Sequence, residues 1–118
     1  FGLAPYAALA AGLLPEGIRK LLDVAMALVA KPKVLLLDEP TSGVAADEKY
    51  GIMDLVIGAV RGQGVTVLFV EHDMDIVSRY SGRVVAFYDG RVIADGEPGK
   101  VLGDAEVLRY VVGEEAHA

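Results

Sequence analysis

Two short runs of contiguous apolar residues constrain the fold of this chain more than any other feature. Val34-Leu35-Leu36-Leu37 and Val65-Thr66-Val67-Leu68-Phe69-Val70 are aliphatic or β-branched almost throughout. They lack the polar alternation of a strand with one wet face, and so predict strands covered on both faces, as in a parallel sheet. Between them Met53, Val56, Ile57 and Val60 recur at helical spacing, which predicts a helix from about Ala46 to Arg61. Asp47 and Glu48 suit its positive end, and Gly62-Gln63-Gly64 stops it. A strand, a crossover helix and a second strand make a βαβ unit, with helices packed on a parallel sheet.

The flanks extend the pattern. Upstream, Ile18, Leu21, Leu22, Ala25, Leu28 and Val29 form an i, i+3, i+4, i+7 stripe. Pro15 and Glu16 supply its first turn, and Lys31-Pro32 ends it, because the residue before a proline is pushed out of the helical region. Downstream, Asp73 to about Tyr80 reads as a short helix with Met74, Val77 and Tyr80 on one side. A third apolar run, Arg83 to Tyr88, meets Arg91 to Asp95 across Asp89-Gly90, a strong signal for an antiparallel hairpin. Short helices over Pro98–Leu102 and from about Ala105 to Val112 follow, with Asp104 as cap and Gly113 as stop. The organisation is therefore residues 1–31 as a helical layer, 32–96 as an α/β core with hairpin, and 97–118 as a helical tail ending in the acidic stretch of Glu114, Glu115 and His117.

Composition narrows the function classes. Hydrophobic residues make up 53% of the 118 residues, and mean hydropathy is +0.43, which excludes a disordered chain. A net charge of −6 argues against a nucleic-acid binder, which needs a basic face. The absence of cysteine removes any disulfide framework or thiolate metal site. The longest apolar run, Tyr6 to Leu14, has nine residues, against the roughly 20 that a membrane-spanning helix needs. The first residue is Phe1 rather than Met, which is expected of a fragment.

Parallel α/β sheets bind ligands beyond the carboxyl ends of their strands. Asp38-Glu39 directly follows the first apolar run, and Glu71-His72-Asp73 directly follows the second. Carboxylates at the end of a buried strand are costly unless paired, hydrated or metal-bound. A plainer reading has Asp38 and Glu39 capping the turn Pro40-Thr41-Ser42-Gly43, and His72 as a helix cap or surface residue. Occurring together on neighbouring strand ends, the two groups form a candidate constellation.

These segments are similar to a known family. Val34-Leu35-Leu36-Leu37-Asp38-Glu39-Pro40-Thr41-Ser42-Gly43 resembles the Walker B segment of ATP-binding cassette (ABC) ATPases, and Val70-Glu71-His72-Asp73 resembles their switch histidine. The stretches Leu21 to Leu28, Val70 to Met74 and the tail through Gly113 look most like the ATPase subunits of branched-chain amino acid importers. The resemblance implies an α/β, P-loop NTPase-like parallel sheet with flanking helices and a C-terminal β-hairpin. It also implies ATP and Mg²⁺ as cofactors. Asp38 would help hold the metal, Glu39 would act as general base or position the attacking water, and His72 would contact the γ-phosphate. Residues 1–31 would be a remnant of the helical subdomain. Leu14 and Gly17 would contact the nucleotide held by a partner, with Ser42 and Gly43 in the following nucleotide-binding loop. Expected partners are a second ATP-binding subunit, transmembrane permease subunits and the N-terminal half of the same domain, at the cytoplasmic face of the cell membrane. Alternatives that keep the ATPase but change the cargo are lipopolysaccharide export and urea uptake; an interaction fragment without catalysis is a reading from another class.

Three departures qualify the resemblance. No G-x-x-x-x-G-K-[ST] loop occurs in the sequence, so the phosphate cradle and its lysine are missing and the chain alone is not expected to hydrolyse ATP. The signature segment, usually Leu-Ser-Gly-Gly-Gln, reads Leu14-Pro15-Glu16-Gly17-Ile18. Pro15 supplies neither hydroxyl nor N–H, and Glu16 brings negative charge near a phosphate, which Arg19 or Lys20 would offset. Ala45 stands where many relatives carry an Asp. In the family the phosphate-loop strand lies between the strands equivalent to Val65–Val70 and Arg83–Tyr88. Its absence predicts one of three outcomes: collapse of those two strands onto each other, exchange of an element between copies, or association with an N-terminal fragment.

Overall fold

The computed structural model describes residues 3–113, apart from the side chain of Ala11. The expected acidic tail of Glu114, Glu115 and His117 lies outside the described residues. The chain forms two compact units, one running to Val70 and the other beginning at Glu71, a division that falls inside the 32–96 segment.

In the first unit, short 3-10 turns at Ala4–Tyr6 and Ala11–Leu13 lead into helix α1, Glu16–Val29. Strand β1 follows at Val34–Asp38, helix α2 at Lys49–Val60 and strand β2 at Thr66–Val70. β1 and β2 pair in parallel, in register from Val34 opposite Thr66 to Asp38 opposite Val70. The core joins Leu21 and Val24 of α1, Leu35 of β1, and Ile52, Val56 and Val60 of α2. Each such side chain stabilises the fold by about 1.5–3 kcal/mol when fully withdrawn from water. α1 ends as its sequence dictates, but Lys31 leaves the helix by way of a left-handed conformation, φ +52°, rather than an extended one. α2 starts at Lys49 rather than Ala46; residues 46–48 form a turn before it, with Glu48 as N-cap.

One expectation for this sheet is overturned. The two strands were predicted to be covered on both faces. α1 and α2 cover only the face bearing Leu35, while Val34, Leu36, Leu68 and Val70 on the other are exposed, Leu36 to 69%. A strand that is apolar on both faces reports the environment its side chains require, and the residues present supply half of it.

The second unit holds helix α3, Met74–Tyr80, strands β3, Val84–Tyr88, and β4, Arg91–Gly96, and helices α4, Pro98–Leu102, and α5, Ala105–Val107. Asp89 and Gly90 adopt φ of +52° and +75°, the paired left-handed conformation of a tight hairpin turn. β3 and β4 are antiparallel with a bulge after Ala86. Arg83 grips Asp95 across the open end of the hairpin with two hydrogen bonds, of 2.8 and 2.7 Å. Ala86, Val101 and Val107 make the core of this unit. After α5 the chain widens into a π-helical segment, Leu108–Val112, ended by Gly113 at φ +77°. Tyr88 stacks on Tyr110 with ring centroids 4.6 Å apart.

Among the described residues β2 pairs with β1 and β3 pairs with β4, in two separate two-stranded sheets.

Candidate functional site

Asp38 is the last residue of β1, and its side chain is exposed. Glu39 leaves the strand in a left-handed conformation, φ +48°, which costs a non-glycine residue about 1–2 kcal/mol. The surroundings hold it there. Its N–H donates to Val70 O at 2.8 Å, its carbonyl accepts from Ser42 N at 3.0 Å, and Lys20 Nζ donates to the same carbonyl at 3.4 Å.

Pro40 and Thr41 are buried beneath the turn, while Ser42 and Gly43 face solvent. Gly43 has φ +76°, and a Cβ there would meet Glu16 Cγ at 3.3 Å, so the start of α1 lies directly over this turn. Leu14 is buried, and a Cβ on Gly17 would come within 3.1 Å of Ile52 Cδ1. Gly17 thus permits the close approach of α1 to α2. The charge expected to trouble the signature-like segment is balanced: Arg19 pairs with Glu16 at 2.7 Å. The first unit therefore brings together Asp38, Glu39, Ser42 and Gly43 and sets the first turn of α1 against them. Lys20 is a participant that sequence reading did not place on Glu39; the contact spans 19 positions and no local pattern signals it.

His72 lies in the second unit, two residues beyond Val70. It is exposed and precedes α3. Glu71 Oε2 accepts from the backbone N–H groups of His72, at 3.2 Å, and Asp73, at 3.3 Å. Asp73 Oδ1 caps α3 by accepting from Asp75 N at 3.0 Å and Ile76 N at 3.4 Å. The 71–73 segment is thus shaped by its own carboxylates.

No group of three or more His, Cys, Asp or Glu residues able to hold a metal occurs among the described residues. An exposed strand-end carboxylate does fit Mg²⁺, which is commonly bound through one or two carboxylates plus water and substrate phosphates. Among the described residues no helix is long and apolar enough to cross a membrane.

A βαβ unit with Asp38 closing its first strand and Glu39 next, followed by a helix and a hairpin, superposes on ATP-binding cassettes of ABC transporters, and the chain's homologues are ATP-binding proteins of ABC transporters. Among solved structures, the ATP-binding cassette MJ1267 of an ABC transporter superposes with a TM-score of 0.76 at 33% identity, over 86% of this chain and 41% of that one. CbiO1 from Clostridium perfringens, part of the ABC transporter complex CbiONQ, gives a TM-score of 0.73 at 38% identity, over 84% and 39%. Among curated proteins, the energy-coupling factor transporter ATP-binding protein EcfA2 of Clostridium perfringens is 40% identical over 95 residues, 80% of this chain and 33% of the relative. The high-affinity branched-chain amino acid transport ATP-binding protein BraF of Pseudomonas aeruginosa is 32% identical over 112 residues, 95% of this chain and 44% of the relative. The chain thus spans between a third and a half of the length of these relatives. No protein-family model matches the sequence.

Proposed function

We propose that this chain is the C-terminal portion of the ATP-binding subunit of an ABC importer, which couples ATP hydrolysis to uptake of branched-chain amino acids or similar solutes. The observation that carries the reading is the strained, triply restrained Glu39 next to Asp38 at the carboxyl end of β1. Homology to BraF and to energy-coupling factor ATPases supports the class, and BraF supports the cargo. Glu39 is the base, or the group that orients the attacking water; phosphoryl transfer asks mainly for positioning and charge stabilisation. Asp38 is the metal-holding carboxylate, and the bound Mg²⁺ supplies neutralisation of phosphate charge. His72 reads the terminal phosphate. Ser42 and Gly43 line the nucleotide side of the turn, while Leu14 and Gly17 seat the start of α1, which faces the nucleotide of a second ATP-binding subunit. The remaining partners are permease subunits at the cytoplasmic face of the membrane and the N-terminal half of the same domain.

The test is phosphate release. The 118-residue chain with MgATP is expected to show none. Adding an N-terminal fragment that carries the glycine-rich loop is expected to produce it. Hydrolysis by the chain alone, or none in any assembly containing the loop, would overturn the proposal.

A further inference from the structure

We propose that Lys20 is a positioning residue for Glu39, and that Glu16 and Lys20 together clasp the turn that carries it. This deepens the functional reading and rests on Glu39 being the reactive carboxylate. Glu16 and Lys20 are four residues apart on α1, so they share a face one turn apart. That face meets the two ends of a single five-residue turn. Lys20 Nζ donates to Glu39 O at 3.4 Å, and the Glu16 side chain lies against Gly43, where an added Cβ would stand 3.3 Å from its Cγ. Arg19 holds the Glu16 carboxylate at 2.7 Å. Beside Lys20 in sequence, Leu21 is almost completely buried, so the origin of the lysine is fixed by the core.

The residue held in this way has φ +48°. Its orientation decides where the Glu39 carboxylate points. The backbone bonds to Val70 O and from Ser42 N are neutral and short, 2.8 and 3.0 Å; the Lys20 bond is longer, 3.4 Å, but its donor is cationic. Without it the strained peptide has less to hold it left-handed, and the carboxylate is misaimed. Lys20 acts on the aim of the proposed base, so the loss is expected in kcat. The Glu at position 16, where the usual signature has glycine, then has a reason to be present: it grips the far end of the turn.

The experiment uses the full-length ATPase that contains this sequence. Lys20→Met is expected to lower kcat about tenfold with KM within about twofold. Lys20→Arg, which restores a cationic donor, is expected to recover most of the loss. In a Glu39→Gln background Lys20→Met is expected to cause no further loss, because the two act as one unit. If Lys20→Met fails to fold, Lys20→Gln and Lys20→Arg report the same comparison. Unchanged kcat in Lys20→Met beside an inactive Glu39→Gln overturns the positioning role and leaves the functional reading standing; so does an equal loss in Lys20→Arg. Unchanged turnover in Glu39→Gln sinks the functional reading itself.

Discussion

Leu35 and Leu36 are neighbours in β1 that point to opposite faces, and they offer a direct comparison. Leu35 is 4% exposed and belongs to the core with α1 and α2; Leu36 is 69% exposed. Truncating a buried leucine to alanine costs about 2–5 kcal/mol. For Leu36 only about a third of the side chain is withdrawn from water, so about a third of the 1.5–3 kcal/mol of full burial is at stake, or about 0.5–1 kcal/mol. Urea denaturation of the 118-residue chain is therefore expected to show Leu35→Ala losing several times more stability than Leu36→Ala, with little change in m. In the full-length subunit the proposed N-terminal half covers the second face, and the two substitutions are expected to cost comparable amounts. Equal losses in the 118-residue chain would show that something within it already covers Leu36. A persistent difference in the full-length protein would show that nothing ever does.

Two further outcomes follow from the second unit. Asp73→Ala removes the cap that accepts from Asp75 and Ile76, and is expected to cost about 1 kcal/mol, read by urea denaturation; Asp73→Asn is expected to cost much less, and equal losses would contradict capping. The hydrogen bond from Arg83, aided by its charge, holds the Asp95 carboxyl below its ordinary value. A carboxylate lowered in the folded state adds stability that is present above its unfolded value and is lost as pH falls through the folded one. NMR titration is expected to show Asp95 protonating at lower pH than in an Arg83→Gln variant, and identical titrations would count against the ion pair.

Much of the architecture was legible because each element states its own limits. Lys31-Pro32 ended α1, Gly62 and Gly64 ended α2, Asp104 capped α5, and Asp89-Gly90 set the hairpin. Burial was harder to read. The apolar continuity of β1 and β2 signalled two covered faces, yet Leu36 and Leu68 are exposed. Sequence records what a strand needs, not whether its cover is present. In α3, Ile76 is fully buried although Met74, Val77 and Tyr80 suggested the buried side; a seven-residue helix has too few turns for its stripe to be unambiguous. The π-helical widening at Leu108–Val112 had no local signal. At the site, the strand end fell within a residue of its expected place: β1 closes on Asp38, with Glu39 next. The hold of Lys20 on the Glu39 carbonyl is a tertiary contact across 19 positions, which no local pattern encodes.

Glu39 is the proposed reactive carboxylate at the end of β1. Single-turnover ATP hydrolysis by the full-length subunit, wild type against Glu39→Gln, tests it most directly. Glu39→Gln keeps the shape of the side chain and removes the proposed base, so ATP is expected to stay bound and uncleaved while the wild type releases phosphate. Cleavage at the wild-type rate in Glu39→Gln would contradict the account.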